Sequence, residues 1–370
     1  MRSKKIKKRR ESKKWTIHER TFLILIIVLL VLGTLNVAKA SGWLIPEQPQ
    51  LEIIDNTIKL DSMTLEQKIA QMVVVHGGLY NMQAFKDMQI GGAHLFAMDS
   101  EGSYSDTISQ LQSGLQIPFF ITVDYEGCLN PFANFINATT VKDIDGIGQA
   151  FEKGSIDGKL LHELGFDINF APVVDLDDQI WGCRSFTGDE KEVAELAEAY
   201  ILGLQSKGII ATAKHYPGKT LVIKDPHKNI VSAQISSEDI YPYTYLLGKD
   251  EVDSVMVSHI ITTGVVDSGG IPSVVSPNLI MPLKKEFSGL VISDEINMLG
   301  LKNFYPTLDE LYVDVFKAGN DLVLNFNEDP NEIYHMVLVI KTAVEEGEIP
   351  EEQIDDSVRR ILVAKGFDVE

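Results

Sequence analysis

An α/β barrel of the (β/α)8 TIM type is the fold this sequence predicts, on three observations. Short β-branched or apolar runs occur eight times, most segments between them repeat apolar residues at helical spacing, and polar residues follow nearly every run. The runs are 72–75 (Met-Val-Val-Val), 93–97, 119–123 (Phe-Phe-Ile-Thr-Val), 168–174, 209–213, 254–257, 290–292 and 322–324. Their almost continuous hydrophobicity suits parallel strands covered on both faces rather than strands with one wet face. Segments 190–207, 307–318 and 331–345 carry the 3.6-residue periodicity of helices with one buried stripe. Alternation of the two kinds of element over one chain predicts a closed parallel barrel wrapped in helices.

The barrel is expected over residues 59–370, preceded by three short segments. Residues 1–20 are dominated by Lys and Arg and read as a basic cytoplasmic tail. Residues 21–38 form an apolar run without a charge, long enough for a bilayer core of about 30 Å. Ala38-Lys39-Ala40 has the small-x-small form of a cleavage site, so a cleaved signal peptide competes with an uncleaved anchor. The run exceeds the roughly 7–15 residues of a signal core, which favours the anchor. Either way the remainder is expected outside the cytoplasmic membrane. Residues 39–58 read as a stalk. The chain's net charge is −20 in spite of its basic start, which argues against nucleic acid as a partner.

In a barrel of this kind, side chains that act on substrates gather where strands end at the C-terminal rim. Asp124 and Glu126 follow the third run, Asp175 the fourth, Lys214 and His215 the fifth, Ser258 and His259 the sixth, Asp294 and Glu295 the seventh, and Asn325 the eighth. Solvated strand exits are polar in any case, but Lys214-His215 and Asp294 are wedged directly against buried runs. Carboxylates from separate strands around one pocket are what glycoside hydrolysis uses. Asp294 is the candidate nucleophile; the competing reading is a cap on the following helix. His227 suits a proton shuttle, with Asp225 two residues earlier to orient the ring and Pro226 to restrict the backbone. His215, His227 and Asp225 are also conceivable metal ligands, although no His-x-x-x-His pattern supports a metal and no cofactor is expected. Cys128 and Cys183 both fall just beyond predicted strand ends in an exported chain. A loop-to-loop disulfide and two free thiols are both open readings.

At this point the motifs resemble glycoside hydrolase family 3, in particular its single-domain bacterial β-N-acetylglucosaminidases, over nearly all of residues 59–367. Lys214-His215-Tyr216-Pro217-Gly218, followed by Asp225-Pro226-His227, is similar to the family's Lys-His-Phe-Pro-Gly-His-Gly block and its Asp-Ser-His. Ile292-Ser293-Asp294-Glu295 with Met298 is similar to its Ser-Asp-Asp block. Weaker likenesses are Asp124-Tyr125-Glu126-Gly127, Arg184-Ser185-Phe186, Ala318-Gly319-Asn320-Asp321 and Arg359-Arg360-Ile361-Leu362. The resemblance implies a retaining β-N-acetylhexosaminidase. In it Asp294 forms the glycosyl-enzyme, His227 is general acid/base assisted by Asp225, and Asp124, Arg184, Lys214 and His215 grip the sugar. It implies an oligosaccharide or peptidoglycan-fragment substrate. Two departures stand beside the expected site: Lys219-Thr220 replaces the family's His-Gly, and Cys128 to Phe132 lacks both arginines of Glu-Gly-Gly-Arg-Val-x-Arg. They motivate the alternative of a non-catalytic sugar-binding barrel.

Overall fold

The computed structural model describes residues 16–40, 45–176, 178–219 and 228–370. Eight parallel strands form one sheet: β1 (Val73–His76), β2 (Gly92–His94), β3 (Phe120–Val123), β4 (Ile168–Asn169), β5 (Ile210–Tyr216), β6 (Ser254–Val257), β7 (Leu290–Ser293) and β8 (Val323–Asn325). Consecutive strands pair from β1 through β7, and β8 pairs with β1. A bridge between Ile292 and Leu322 closes the sheet, supported by Ser293 N–H donating to the Leu322 carbonyl at 2.8 Å. The expected barrel is therefore present, with its helices on the outside.

The strands are buried because both faces are covered: Val73, Val74, Val75, Ile121, Val123, Val255, Val291 and Ile292 are inaccessible to solvent. Polar side chains between strands are internally paired, as buried groups must be. Thr212 Oγ1 and Ser254 Oγ lie 2.7 Å apart, and Ser254 donates to the Ala211 carbonyl. The helices begin where the sequence supplies caps. Reciprocal capping boxes join Asp189 to Glu192 at the start of Glu190–Gln205 and Ser236 to Asp239 at the start of Ser237–Lys249.

Two strands differ from their sequence-based bounds. β4 is regular only over 168–169, and beyond it the bonds to β5 go on irregularly around Pro172, which has no N–H to give: Thr212 N–H donates to the Ala171 carbonyl and Val174 N–H to the Lys214 carbonyl, each at 2.9 Å. On the β3 side Asn169 adds side-chain bonds, its amide accepting from Tyr125 N–H and donating to the Tyr125 carbonyl, each at 3.0 Å. β5 extends past 213 to Tyr216, so Lys214 and His215 belong to the strand itself. Pairing with β6 continues that far, after an irregularity between Lys214 and Tyr216.

Residues 39–58 are not a stalk where the structure describes them. Ile45 and Leu51 are buried, and Ile53–Ile54 pairs with Thr57–Ile58 across a turn in which Asp55 and Asn56 take positive φ. Thr57–Ile58 pairs in turn with Asp368–Val369 near the C-terminus. Ile45, Leu51 and Ile58 give this segment a surface to bury, and its second strand fastens to Asp368–Val369. Ahead of it, α1 (Ile17–Ala40) is a 24-residue helix whose Phe22, Leu29 and Leu30 are exposed. Its side chains are described without a break only over 20–34, and among the described residues no helix is long and apolar enough to cross a membrane. The expected span over 21–38 thus gains no support from them.

Two of the weaker motifs are structural. Asp321 accepts from Lys284 Nζ at 2.6 Å, Ser357 Oγ at 2.8 Å and Val291 N–H at 2.9 Å, tying β7 to two outer helices. Arg360 donates to the carbonyls of Lys284, Phe287 and Gly289, satisfying the end of helix Pro277–Glu286. Asp321→Ala would leave a buried ammonium and a β7 N–H without their acceptor. It is expected to lower unfolding free energy by about 3 kcal/mol, measured as a fall in the urea midpoint at unchanged slope.

Candidate active site

A cavity of about 400 Å³ opens at the C-terminal rim. Asp124, Glu126, Arg184, Lys214, His215, Ser258, His259, Asp294 and Glu295 line it, together with the apolar Phe96, Leu129, Trp181, Met256, Met298, Leu324 and Phe326. Residues from the ends of β2 to β8 therefore meet in one place, as barrel geometry requires.

One wall is a buried ion network. Lys214 on β5 is almost inaccessible, and its Nζ lies 2.6 Å from Asp124 Oδ1 and 3.0 Å from Glu126 Oε2. Arg184 Nη2 binds the other Glu126 oxygen at 2.5 Å. Burial by itself lowers the Lys214 pKa, but Asp124 and Glu126 outweigh it and hold the value above that of an ordinary lysine. Burial likewise opposes ionisation of Asp124, and Lys214, followed by His94 and Arg184, overrides it to bring that carboxyl down to about 2. Beneath them His94 is buried with Nε2 3.6 Å from Asp124 Oδ2 and Nδ1 3.0 Å from Thr122 Oγ1. Burial lowers its pKa to about 4, so the ring is neutral at neutral pH.

The loops after β3 and β4 are clamped together. Glu126 N–H donates to the Leu129 carbonyl and Leu129 N–H returns the bond to Glu126, at 3.1 and 2.7 Å. Gly127 takes φ +49° there, and any Cβ on it would strike the Cys183 carbonyl at 2.4 Å. Cys128 and Cys183 form a disulfide, with Cα atoms 5.4 Å apart. On the β4 side Asp178 accepts from the backbone of Trp181, Cys183 and Arg184, and the Arg184 guanidinium lies 4.6 Å from the Trp181 ring centroid. Arg184 is thus set by a disulfide, a turn, an aromatic face and a carboxylate.

His215 is oriented by Asp175, its Nδ1 3.0 Å from Oδ2. Tyr243 donates to the same carboxylate at 3.3 Å. The opposite wall carries Asp294, whose N–H donates to the Val257 carbonyl at 3.0 Å and whose Oδ1 accepts from Glu295 N–H at 2.8 Å. Glu295 spans to β8 by accepting from Asn297 and Phe326 N–H, and burial raises its pKa against those bonds, with Asp294 adding to the rise.

Five of the sequence-predicted site residues, Asp124, Arg184, Lys214, His215 and Asp294, therefore line one cavity. Asp225 and His227 lie outside the described residues. Lys219, where the family motif has His, takes φ +64° and donates to Asp239 Oδ2 at 3.1 Å and to the Gln234 carbonyl. Among the described residues no cluster of three or more His, Cys, Asp or Glu has a metal-binding arrangement. His94, Trp181 and Phe326 escaped the sequence reading. His94 carried a usable signal, an imidazole inside an apolar run, whereas Trp181 and Phe326 sit in stretches without periodicity.

The geometry defines a parallel α/β barrel with a charge-latched cavity on its C-terminal rim. The model of the glycosyl hydrolase family 3 N-terminal domain matches residues 64–364. A β-N-acetylglucosaminidase/β-glucosidase of Cellulomonas fimi is 28% identical over 314 residues, covering 76% of this chain and 53% of the relative. A β-hexosaminidase of Mycobacterium bovis is 26% identical over 324 residues, covering 81% and 82%. Among solved structures, a family 3 β-N-acetylglucosaminidase from Paenibacillus sp. superposes with TM-score 0.76 at 26% identity, covering 82% of this chain and 62% of that one. The chain belongs to glycosyl hydrolase family 3. It spans about half the length of the Cellulomonas relative and of a Pseudoalteromonas piscicida β-hexosaminidase A.

Because folding depresses the Asp124 carboxyl, its contribution to stability is complete above the unfolded value near 3.8 and is lost as pH falls toward 2. In Lys214→Met the largest opposing charge is gone and burial dominates. The Asp124 pKa is then expected above 3.8, read from the carboxyl ¹³C shift during a pH titration.

Proposed function

We propose that this chain is a retaining β-N-acetylhexosaminidase that releases terminal β-linked N-acetylglucosamine from cell-wall or chitin-like fragments. The observation that carries the reading is Asp294 lining the same cavity as Asp124, Arg184, Lys214 and His215. The names of the relatives from Cellulomonas and Mycobacterium support the sugar.

In this mechanism Asp124, Arg184, Lys214 and His215 hold the hydroxyls of the terminal sugar. Asp294 attacks C1, its Oδ–C1 bond forming as the C1–O bond to the aglycone breaks. His227, oriented by Asp225, gives its proton to the departing oxygen. It then takes a proton from the water that hydrolyses the glycosyl-enzyme, so two inversions at C1 return the original anomer. The buried network is well suited to the first task. Its cations are already paired, so the sugar meets oriented donors and acceptors without the reorganisation that bare charges in water would need.

We further propose export, with α1 as an anchor and the barrel outside the cytoplasmic membrane. The uncharged run 21–38 behind a basic flank and the exposed Phe22, Leu29 and Leu30 support this. Anchored protein is expected to stay with membranes through alkaline carbonate extraction. A soluble mature chain that begins after Ala40 would instead show signal cleavage.

The direct test of the reaction is hydrolysis of 4-nitrophenyl N-acetyl-β-D-glucosaminide by the full chain. Asp294→Ala is expected to lose about 10⁴-fold or more in kcat and His227→Ala about 10²–10⁴-fold. No turnover by the unaltered chain, with or without added phosphate, would favour a sugar-binding barrel without catalysis.

A further inference from the structure

Tyr125 is buried between the two carboxylates that hold Lys214, Asp124 at 2.6 Å and Glu126 at 3.0 Å from Nζ. A side chain grips its backbone on both sides, since the Asn169 amide accepts from its N–H and donates to its carbonyl. The same amide donates to the Tyr200 hydroxyl at 3.4 Å, and that hydroxyl donates to Asp157 Oδ2 at 3.0 Å. The Tyr125 hydroxyl is also hydrogen-bonded to the Asp157 carboxylate. Asp157 therefore reaches Tyr125 by two routes, directly at its side chain and through Tyr200 and Asn169 at its backbone.

Asp157 lies on helix Ile147–Leu164 and Tyr200 on helix Glu190–Gln205. The two helices meet closely, because a Cβ on Gly154 would come within 2.1 Å of the Tyr200 carbonyl. Asp157 is 2% exposed and pairs with Lys153 one turn earlier, whose Nζ lies 4.8 Å from the Tyr125 ring centroid. Burial, followed by the charge of Asp157, pushes the pKa of both phenols up, so both hydroxyls keep the proton they donate. A buried carboxylate occupied by an ammonium and two hydroxyls has little freedom to move, and it passes that rigidity to the groups bonded to it. Asp157 does not line the cavity, so its effect there runs through Tyr125.

We infer that Asp157 is a positioning residue for the cavity, fixing through Tyr125 the alignment of Asp124 and Glu126 on Lys214. Its consequence for a substrate rests on the glycosidase reading above: a well-aligned Asp124 grips the terminal sugar, and a loosened one grips it less well.

The test follows the Asp124 carboxyl pKa by its ¹³C shift, and KM against kcat for 4-nitrophenyl N-acetyl-β-D-glucosaminide. Both are measured in the full chain, in Asp157→Ala, Asp157→Asn and Tyr125→Phe, and in the double variant Asp157→Ala/Tyr125→Phe. In Asp157→Ala and Tyr125→Phe the Asp124 pKa is expected to rise from about 2 toward 3.8, because its contact with Lys214 loosens. KM should rise about tenfold with kcat reduced less, since a grip on the sugar acts alike on substrate and transition state. The double variant should be no worse than Asp157→Ala alone, and Asp157→Asn, which keeps one acceptor oxygen, should regain part of the loss. Asp321→Ala, which weakens the fold on another side of the barrel, should leave the Asp124 pKa where it is. An unchanged Asp124 pKa in folded Asp157→Ala and Tyr125→Phe overturns the inference. So do additive effects in the double variant, or an equal rise in Asp321→Ala. Should Asp157→Ala fail to fold, Tyr125→Phe and Tyr200→Phe, each lacking one hydroxyl, carry the same comparison. If even the unaltered chain leaves the glycoside intact, the glycosidase reading falls, and the Asp124 pKa still decides the positioning role.

Discussion

Lys214 sits inside the barrel wall with almost no access to water, and an ammonium there is tolerable only because Asp124 and Glu126 both reach it. That requirement organises what lies around it. Glu126 can serve Lys214 with one oxygen because Arg184 takes the other. Arg184 in turn is positioned by the Asp178 turn, the Trp181 face and the bridge between Cys128 and Cys183. The loops after β3 and β4 are thus drawn together around one buried cation on β5. Removing any member leaves a charge in a poorly solvated place, a situation that costs about 3–5 kcal/mol in typical proteins.

The network also explains why the site is asymmetric. Asp124 is the member that opens to the cavity, its side chain 36% exposed, whereas Glu126 is sealed behind it at 2%. One carboxylate is therefore presented to ligand and the other is structural. Across the cavity Asp294 donates its N–H to the Val257 carbonyl at 3.0 Å. Its neighbour Glu295 bridges the exits of β7 and β8, so backbone bonds brace the stretch that carries Asp294.

Most of the fold was legible because parallel barrel strands are buried on both faces, and such strands write themselves as apolar runs. The runs at 254–257 and 290–292 match β6 and β7 nearly residue for residue. β4 was not legible in length, since 168–174 is apolar but for Asn169, and its regular ladder covers only 168–169 while the bonds to β5 go on irregularly around Pro172. The segment 39–58 misled because short apolar stretches next to a predicted membrane run look like a spacer, and its partner at 368–369 is distant in sequence. Site residues were legible where a strand exit fixes the direction of a side chain, as for Asp124, Lys214 and Asp294. Trp181 was invisible because its place depends on an Asp178 turn and a disulfide, neither of which leaves a periodic signal. The Glu126–Arg184 pairing joins loops 58 positions apart and could not be read from spacing.

Asp294 is proposed as the group that becomes covalently bonded to the sugar opposite the Lys214 network. Incubation of the full chain with 5-fluoro-N-acetyl-β-D-glucosaminyl fluoride, followed by intact mass and peptide mapping, tests this directly. The account predicts a stoichiometric glycosyl adduct on the peptide that contains Asp294, formed by the unaltered chain and not by Asp294→Asn. An adduct on another carboxylate, or rapid turnover of substrate with inversion at C1 and no adduct, would contradict it.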